Sequence, residues 1–387
     1  MAINFWRRLM SVPAVIWCAL VGGLVGGLAG WLSAAVYVSP ELAQIKTRLN
    51  QPIVVTSTTS QVEIVPVTRP AQTPSYPAYF QTRRVSPVVT LAKRTVNAPE
   101  ETYAEDQELG RAVALTTDSW LVTDYAAFKT LKVAELVVLW QGQAYPIQKA
   151  IRDTATDAVF IKIQATGLPA PALVDTADLD YGLYVWTEPV PGRVYPETLV
   201  DLRSALNAEP ISSERVQRRL IVSGTGEATP IGGAVWDERG QLLGIIESKT
   251  GGNSRVLPAA DLRTALSSLL ATDKIQHAVL GVRAVDLSAL TPGGTPRQWP
   301  ARGAWLKADK RSGLPAVNPI GPAGKLLKEG DVIERLERDV LDGTADLGER
   351  LLEYLPSAEV TVYGTRNGRQ FQVAITLGSA VTGETLK

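Results

Sequence analysis

The chain has 387 residues, 45% of them apolar, and its 39 lysines and arginines are matched by 39 aspartates and glutamates. That length points to two or three domains with ordinary packed cores, and the balanced charge excludes an overall electrostatic argument for binding nucleic acid. One cysteine, Cys18, and one histidine, His277, leave no intrachain disulfide and no Cys/His cluster for zinc or haem, so no cofactor is expected.

No charged residue lies between Arg8 and Glu41, and residues 12–38 are almost wholly apolar or small. Such a run is long enough to cross about 30 Å of hydrocarbon as one helix. Arg7 and Arg8 precede it. By the positive-inside bias, residues 1–38 are then a short cytoplasmic tail and transmembrane signal anchor, with the rest on the periplasmic or cell-surface side. Ser33-Ala34-Ala35 also has the small-residue pattern of a signal-peptidase site, so cleavage is the competing expectation. Gly22, Gly26 and Gly30, with Gly23 and Gly27, recur every four residues and would let two such helices approach as a homo-oligomer, although small residues are common in membrane helices.

Residues 39–84 are rich in Pro, Thr, Ser and Gln and read as an extended stalk. Its end carries Tyr76, Tyr79 and Phe80, which suit packing on a neighbouring subunit or on the chain's own domain. Short β-type runs follow at 85–91, 112–115, 120–123, 135–139, 158–163, 183–186, 220–222, 234–236 and 243–246, which predicts a sandwich or barrel. A closing helix is predicted from Pro258 to Leu270, with Leu262, Leu266, Leu269 and Leu270 on one face. A third unit runs from Val279 to about Leu377, with strands and a helix near 345–354.

The segment order and several motifs resemble the HtrA family of trypsin-like serine proteases. Residues 110–123 are similar to that family's first hairpin, which ends in Thr-Asn-x-His-Val; the continuation here, Thr123-Asp124-Tyr125-Ala126-Ala127, puts Ala126 in the histidine slot. Asp153-Thr-Ala-Thr-Asp157-Ala-Val-Phe-Ile-Lys-Ile163 is similar to the aspartate segment, so Asp157 matches the triad aspartate, with a structural role expected through bonds from backbone or Tyr125. Pro230-Ile231-Gly232-Gly233-Ala234 and the following hairpin are similar to the nucleophile segment, with Ile231 in the serine slot and Thr229 where the oxyanion loop has glycine. Ser223 and Ser248 lie nearby, but neither precedes the glycine pair.

Val279-Leu280-Gly281-Val282 resembles the carboxylate-binding loop of the family's PDZ domain, and Gly321-Pro-Ala-Gly-Lys-Leu-Leu-Lys-Glu-Gly-Asp-Val-Ile333 resembles its most specific scaffold motif. In such loops successive backbone N–H groups capture a peptide's terminal carboxylate while the peptide adds as a strand. Arg297 and Trp299 fall in an inserted loop beside this groove, and His277 is expected to be a solvated linker side chain.

The resemblance implies a mainly β fold: a chymotrypsin-like double barrel over 85–272 and an α+β PDZ domain over 275–380, after the transmembrane helix. It also implies a trimer formed through the protease-like domain. With Ala126 and Ile231 in two triad slots, the expectation is a pseudoprotease without enzymatic activity that binds peptides or protein C-termini outside the cytoplasm. An active serine endopeptidase with an atypical site and a purely structural assembly subunit are the alternatives.

Overall fold

The computed structural model describes residues 76–94, 103, 107–129, 131–175, 179–204, 209–223, 230–290 and 300–387. Residues 72–387 form one compact unit. The anchor and glycine repeat of 12–38, most of the stalk, Thr229, Arg297 and Trp299 lie outside the described residues. Among the described residues, no helix is long and apolar enough to cross a membrane.

A short helix α1, Ala78–Thr82, leads into strands β1 to β7: Val88–Lys93, Glu108–Ala114, Trp120–Asp124, Leu136–Trp140, Gln143–Pro146, Lys149–Asp153 and Ala158–Lys162. These pair in the order β6-β7-β3-β2-β1-β4-β5 as a barrel-like sheet. Strands β8 and β9, Tyr184–Val190 and Arg193–Ser204, join β11 to β14, Arg219–Ser223, Ala234–Trp236, Leu242–Thr250 and Asn253–Pro258, in a closed barrel. Val113, Val122, Phe160, Trp186, Trp236 and Ile245 are buried in one cluster contributed by both sheets. Strand β3 shows why: all five residues of Trp-Leu-Val-Thr-Asp are buried, as a strand covered on both faces requires.

Helix α2, Leu262–Thr272, closes the barrels by burying Leu262, Ala265 and Leu269. Leu270, expected on that face, is 51% exposed. At 3.6 residues per turn, the stripe through Leu262, Ala265 and Leu269 excludes it. Asp273 then adopts the left-handed conformation and its N–H caps the Leu269 carbonyl, ending the helix.

A second sheet follows. It is built from β10, Ile211–Ser212, β16, Arg283–Asp286, β17, Ala304–Leu306, β18, Val332–Leu336, β20, Glu359–Arg366, and β21, Arg369–Thr376, in that order, with β19, Asp339–Val340, paired to β18. On β20, Val360 and Val362 are buried with Leu306, Ile333 and Ile375 beneath helix α3, Leu347–Leu352. Two connections cross the boundary drawn near residues 275 and 380. Strand β15, Gln276–Val279, pairs with β22, Gly378–Val381, and β23, Gly383–Thr385, returns to pair with β6 of the first sheet. The C-terminal strand therefore extends the first barrel-like sheet.

The aromatic cluster ending the stalk packs on the chain itself. Phe80 is buried, Tyr76 and Phe80 meet Trp186 with ring centroids 5.6 and 6.0 Å apart, and Arg83 donates to the buried Glu188.

Candidate functional site

Two of the three slots of the protease-like region, Ala126 and Asp157, are tied together through the backbone of Tyr125. Asp124 ends β3 and caps the turn 125–128, its carboxylate accepting the Ala126 N–H at 2.7 Å. Burial pushes this carboxyl up to about 6, opposed by that N–H. The Tyr125 N–H donates to the Asp157 carbonyl at 3.0 Å, placing Ala126 beside the aspartate segment. The Asp157 carboxylate, expected on backbone or Tyr125, instead accepts from Arg152 at 2.6 Å and Arg215 at 2.8 Å. Arg152 in turn stacks on the Tyr125 ring, 3.7 Å from its centroid. Asp157 lines a cleft of about 460 Å³ together with Arg215, Arg219, Glu247, Arg255 and Arg283.

The glycine-pair turn is fixed as firmly. Ile231 packs its side chain against the apolar cluster of the first sheet, and its carbonyl accepts the Arg111 N–H at 2.7 Å. Gly232 has φ 77, and a Cβ there would overlap the Arg111 carbonyl oxygen and the Thr123 hydroxyl. Only glycine meets both demands.

The one histidine is not a solvated linker. His277 lies on β15 and is 2% exposed, with Nε2 at 3.0 and 3.1 Å from the two carboxylate oxygens of fully buried Asp153. The same oxygens accept the Ala155 N–H and the Thr156 hydroxyl. A residue at a domain junction is exposed only if the junction is open, and the β15–β22 ribbon covers this one. The pair joins that ribbon to the first sheet across 124 positions of sequence.

The carboxylate-type loop has its donors aimed outward. The Leu280 carbonyl accepts the Ala323 N–H and the Gly281 carbonyl accepts the Asn318 N–H, so the Gly321-Pro-Ala motif braces the loop from behind. Gly281, at φ 79, turns the chain so that the N–H groups of Leu280 and Gly281 converge on one oxygen, Oε1 of Glu214, at 3.2 and 2.8 Å. The next N–H, of Val282, donates to the Ser213 hydroxyl at 3.2 Å. Asp331 of the scaffold motif is buried and takes two bonds from Arg366, at 2.6 and 2.7 Å. Ser213 and Glu214 carry no sequence signal for this role, because their pairing with residues 280–282 is wholly non-local.

A closed barrel beside a barrel-like sheet, joined through a glycine-pair turn and followed by a smaller α+β sheet, defines a trypsin-like protein with an appended C-terminal unit. No protein-family model matches the chain. It is 24% identical over 257 residues to a serine protease Do-like HtrA of Lactobacillus helveticus, covering 62% of this chain and 61% of that protein. It is 23% identical over 254 residues to the periplasmic pH-dependent serine endoprotease DegQ of Escherichia coli K12, covering 64% and 54%. To a probable periplasmic serine endoprotease DegP-like of Halomonas elongata it is 24% identical over 284 residues, covering 71% and 57%. The matches thus span about 54–61% of these relatives' lengths. In structure, the HtrA-type protease AlgW with a decapeptide superposes with a TM-score of 0.55 at 18% identity, covering 79% of this chain and 99% of that one, a likeness of fold. The chain is thus similar in sequence to HtrA-type serine proteases and shares their fold.

These relatives correct one expectation. Ala126 and Ile231 suggested that the chain is not an enzyme, yet the proteins it matches are named serine proteases and endoproteases, which points instead to a proteolytic family.

Proposed function

We propose that this chain is an HtrA-like protein of the extracytoplasmic side, anchored by residues 12–38, whose C-terminal unit is a PDZ-type receptor for peptide or protein C-termini. The observation that carries this reading is the convergence of the Leu280 and Gly281 N–H groups on a single carboxylate oxygen, at 3.2 and 2.8 Å. A terminal carboxylate presents the same two-oxygen anion, and β16 next to the loop carries on its outer side only the two-residue strand β10, the place an added peptide strand would take. The periplasmic names of two relatives support the location. The test is binding of dye-labelled peptides by the full chain in detergent, comparing free C-termini with amidated ones. Saturable binding that needs the free carboxylate supports the reading, and indifference to amidation overturns it.

A second reading, serine proteolysis, is favoured by the relatives' names. The slot before the glycine pair holds Ile231, so a nucleophile would have to come from another serine. Labelling of the purified chain by a fluorophosphonate at one serine would support this reading, and absence of labelling would count against it.

A further inference from the structure

The segment held by the carboxylate-type loop belongs to the chain itself, and it lies as a peptide ligand would lie. Ile211 and Ser212 run antiparallel to β16, with Ile211 opposite Ala284 and Ser212 opposite Arg283. The Ser213 N–H continues the ladder to the Val282 carbonyl at 2.9 Å. The chain then delivers the Glu214 carboxylate to the Leu280 and Gly281 N–H groups. The Ser212 and Ser213 hydroxyls both donate to this carboxylate, so its four acceptor positions are largely used by the segment and the loop together.

The far wall of the same groove is occupied too. A Cβ on Gly348 of α3 would overlap the Arg215 carbonyl oxygen, and the Gln217 N–H donates to Asp346, the cap of α3, at 3.2 Å. Between β16 and α3 the segment leaves a cavity of only about 20 Å³, room for a single water.

We infer that residues 211–214 are a built-in competing ligand, with the Glu214 side chain standing in for a C-terminal carboxylate, so that an incoming C-terminus binds only by displacing them. The inference rests on the PDZ-type reading and adds its regulation. The tether keeps the competitor at high local concentration, and apparent affinity falls by the fraction of chains whose groove is free. Glu214 offers a side-chain carboxylate from mid-chain, so its backbone continues past the loop to Arg215, where a true C-terminus would stop.

The experiment measures binding of a dye-labelled octapeptide pool with free C-termini, and its amidated twin, to the full chain in detergent. Wild type is compared with Glu214→Ala and Ser213→Pro, the second removing the N–H that continues the strand ladder. Amide exchange at Leu280 and Gly281, with Leu306 and Ile333 as core references, shows that each variant keeps its sheet. The inference expects both variants to bind free-acid peptides about tenfold tighter or more, as release of a competitor held by charge-assisted hydrogen bonds requires. It also expects exchange at Leu280 and Gly281 to quicken while Leu306 and Ile333 stay protected. Equal affinity of wild type and variants overturns the competitor and leaves the peptide-binding reading standing. No carboxylate-dependent binding by any of the three, with the core amides protected, overturns the peptide-binding reading itself.

Discussion

Two glycine-containing turns in this molecule use their backbone in opposite ways. At Gly232 the turn is consumed by the fold: the Ile231 carbonyl is bonded to Arg111, the Gly232 N–H donates to the Ile246 carbonyl, and Ile231 packs against the first sheet. At Gly281 the carbonyls are braced from behind while the N–H groups face a carboxylate. A Cβ would be blocked by backbone at the first turn and would meet nothing nearer than 3.5 Å at the second. The contrast teaches that the same residue type can fix a scaffold or turn donors toward a carboxylate, and that the direction of the neighbouring N–H groups decides which.

Substitutions can break this comparison. Gly232→Ala should cost the most, about 3 kcal/mol or more, because a β-carbon there overlaps backbone that cannot move without disturbing β2; chemical denaturation measures it. His277→Ala comes next, at roughly 3 kcal/mol, since it removes a bond to fully buried Asp153 and leaves a cavity at the junction of β15 and β6. Asp153→Asn with His277 intact should lose less in the same assay. Gly281→Ala should cost about 1 kcal/mol, the strain of a left-handed residue with a side chain, while weakening capture of free C-termini by disturbing the two donors. A large stability loss with unchanged peptide binding would reverse the contrast between the turns.

A gradual dependence on pH is the last expected effect. Burial pushes Asp261 up to about 7, with Arg219 and Arg218 opposing and Asp346 reinforcing the shift, and it likewise raises Asp124 to about 6. Raised carboxylates favour their protonated form in the folded chain. The stability they contribute is complete below the ordinary value of 3.8 and is lost as pH rises through about 6 and then about 7. Thermal unfolding of Asp261→Asn should therefore be flatter than wild type between pH 5 and pH 8.

Legibility followed the range of the interactions. The runs that became β3, β4, β7 and β12 are dense in β-branched and aromatic residues, and their periodicity is local, so the sequence places them within a residue or two. The motifs around Ala126, Asp157 and Ile231 were readable for the same reason. The long strand β9 escaped because Pro196 and its charged residues mask its alternation. Strand β23 escaped because three residues near the C-terminus carry no signal for a partner 232 positions away. His277 and Glu214 were misjudged or missed on the same ground: each is defined by a contact with a distant segment, Asp153 in one case and the loop of Leu280 and Gly281 in the other.

The proposed function turns on the N–H groups of Leu280 and Gly281 acting as a carboxylate receptor. Its most direct test is the affinity of the Glu214→Ala chain for one peptide pool in free-acid and amidated forms. A preference of about tenfold or more for the free acid is expected, the scale of charge-assisted hydrogen bonds made by two converging donors. Equal affinity for the two forms would contradict it.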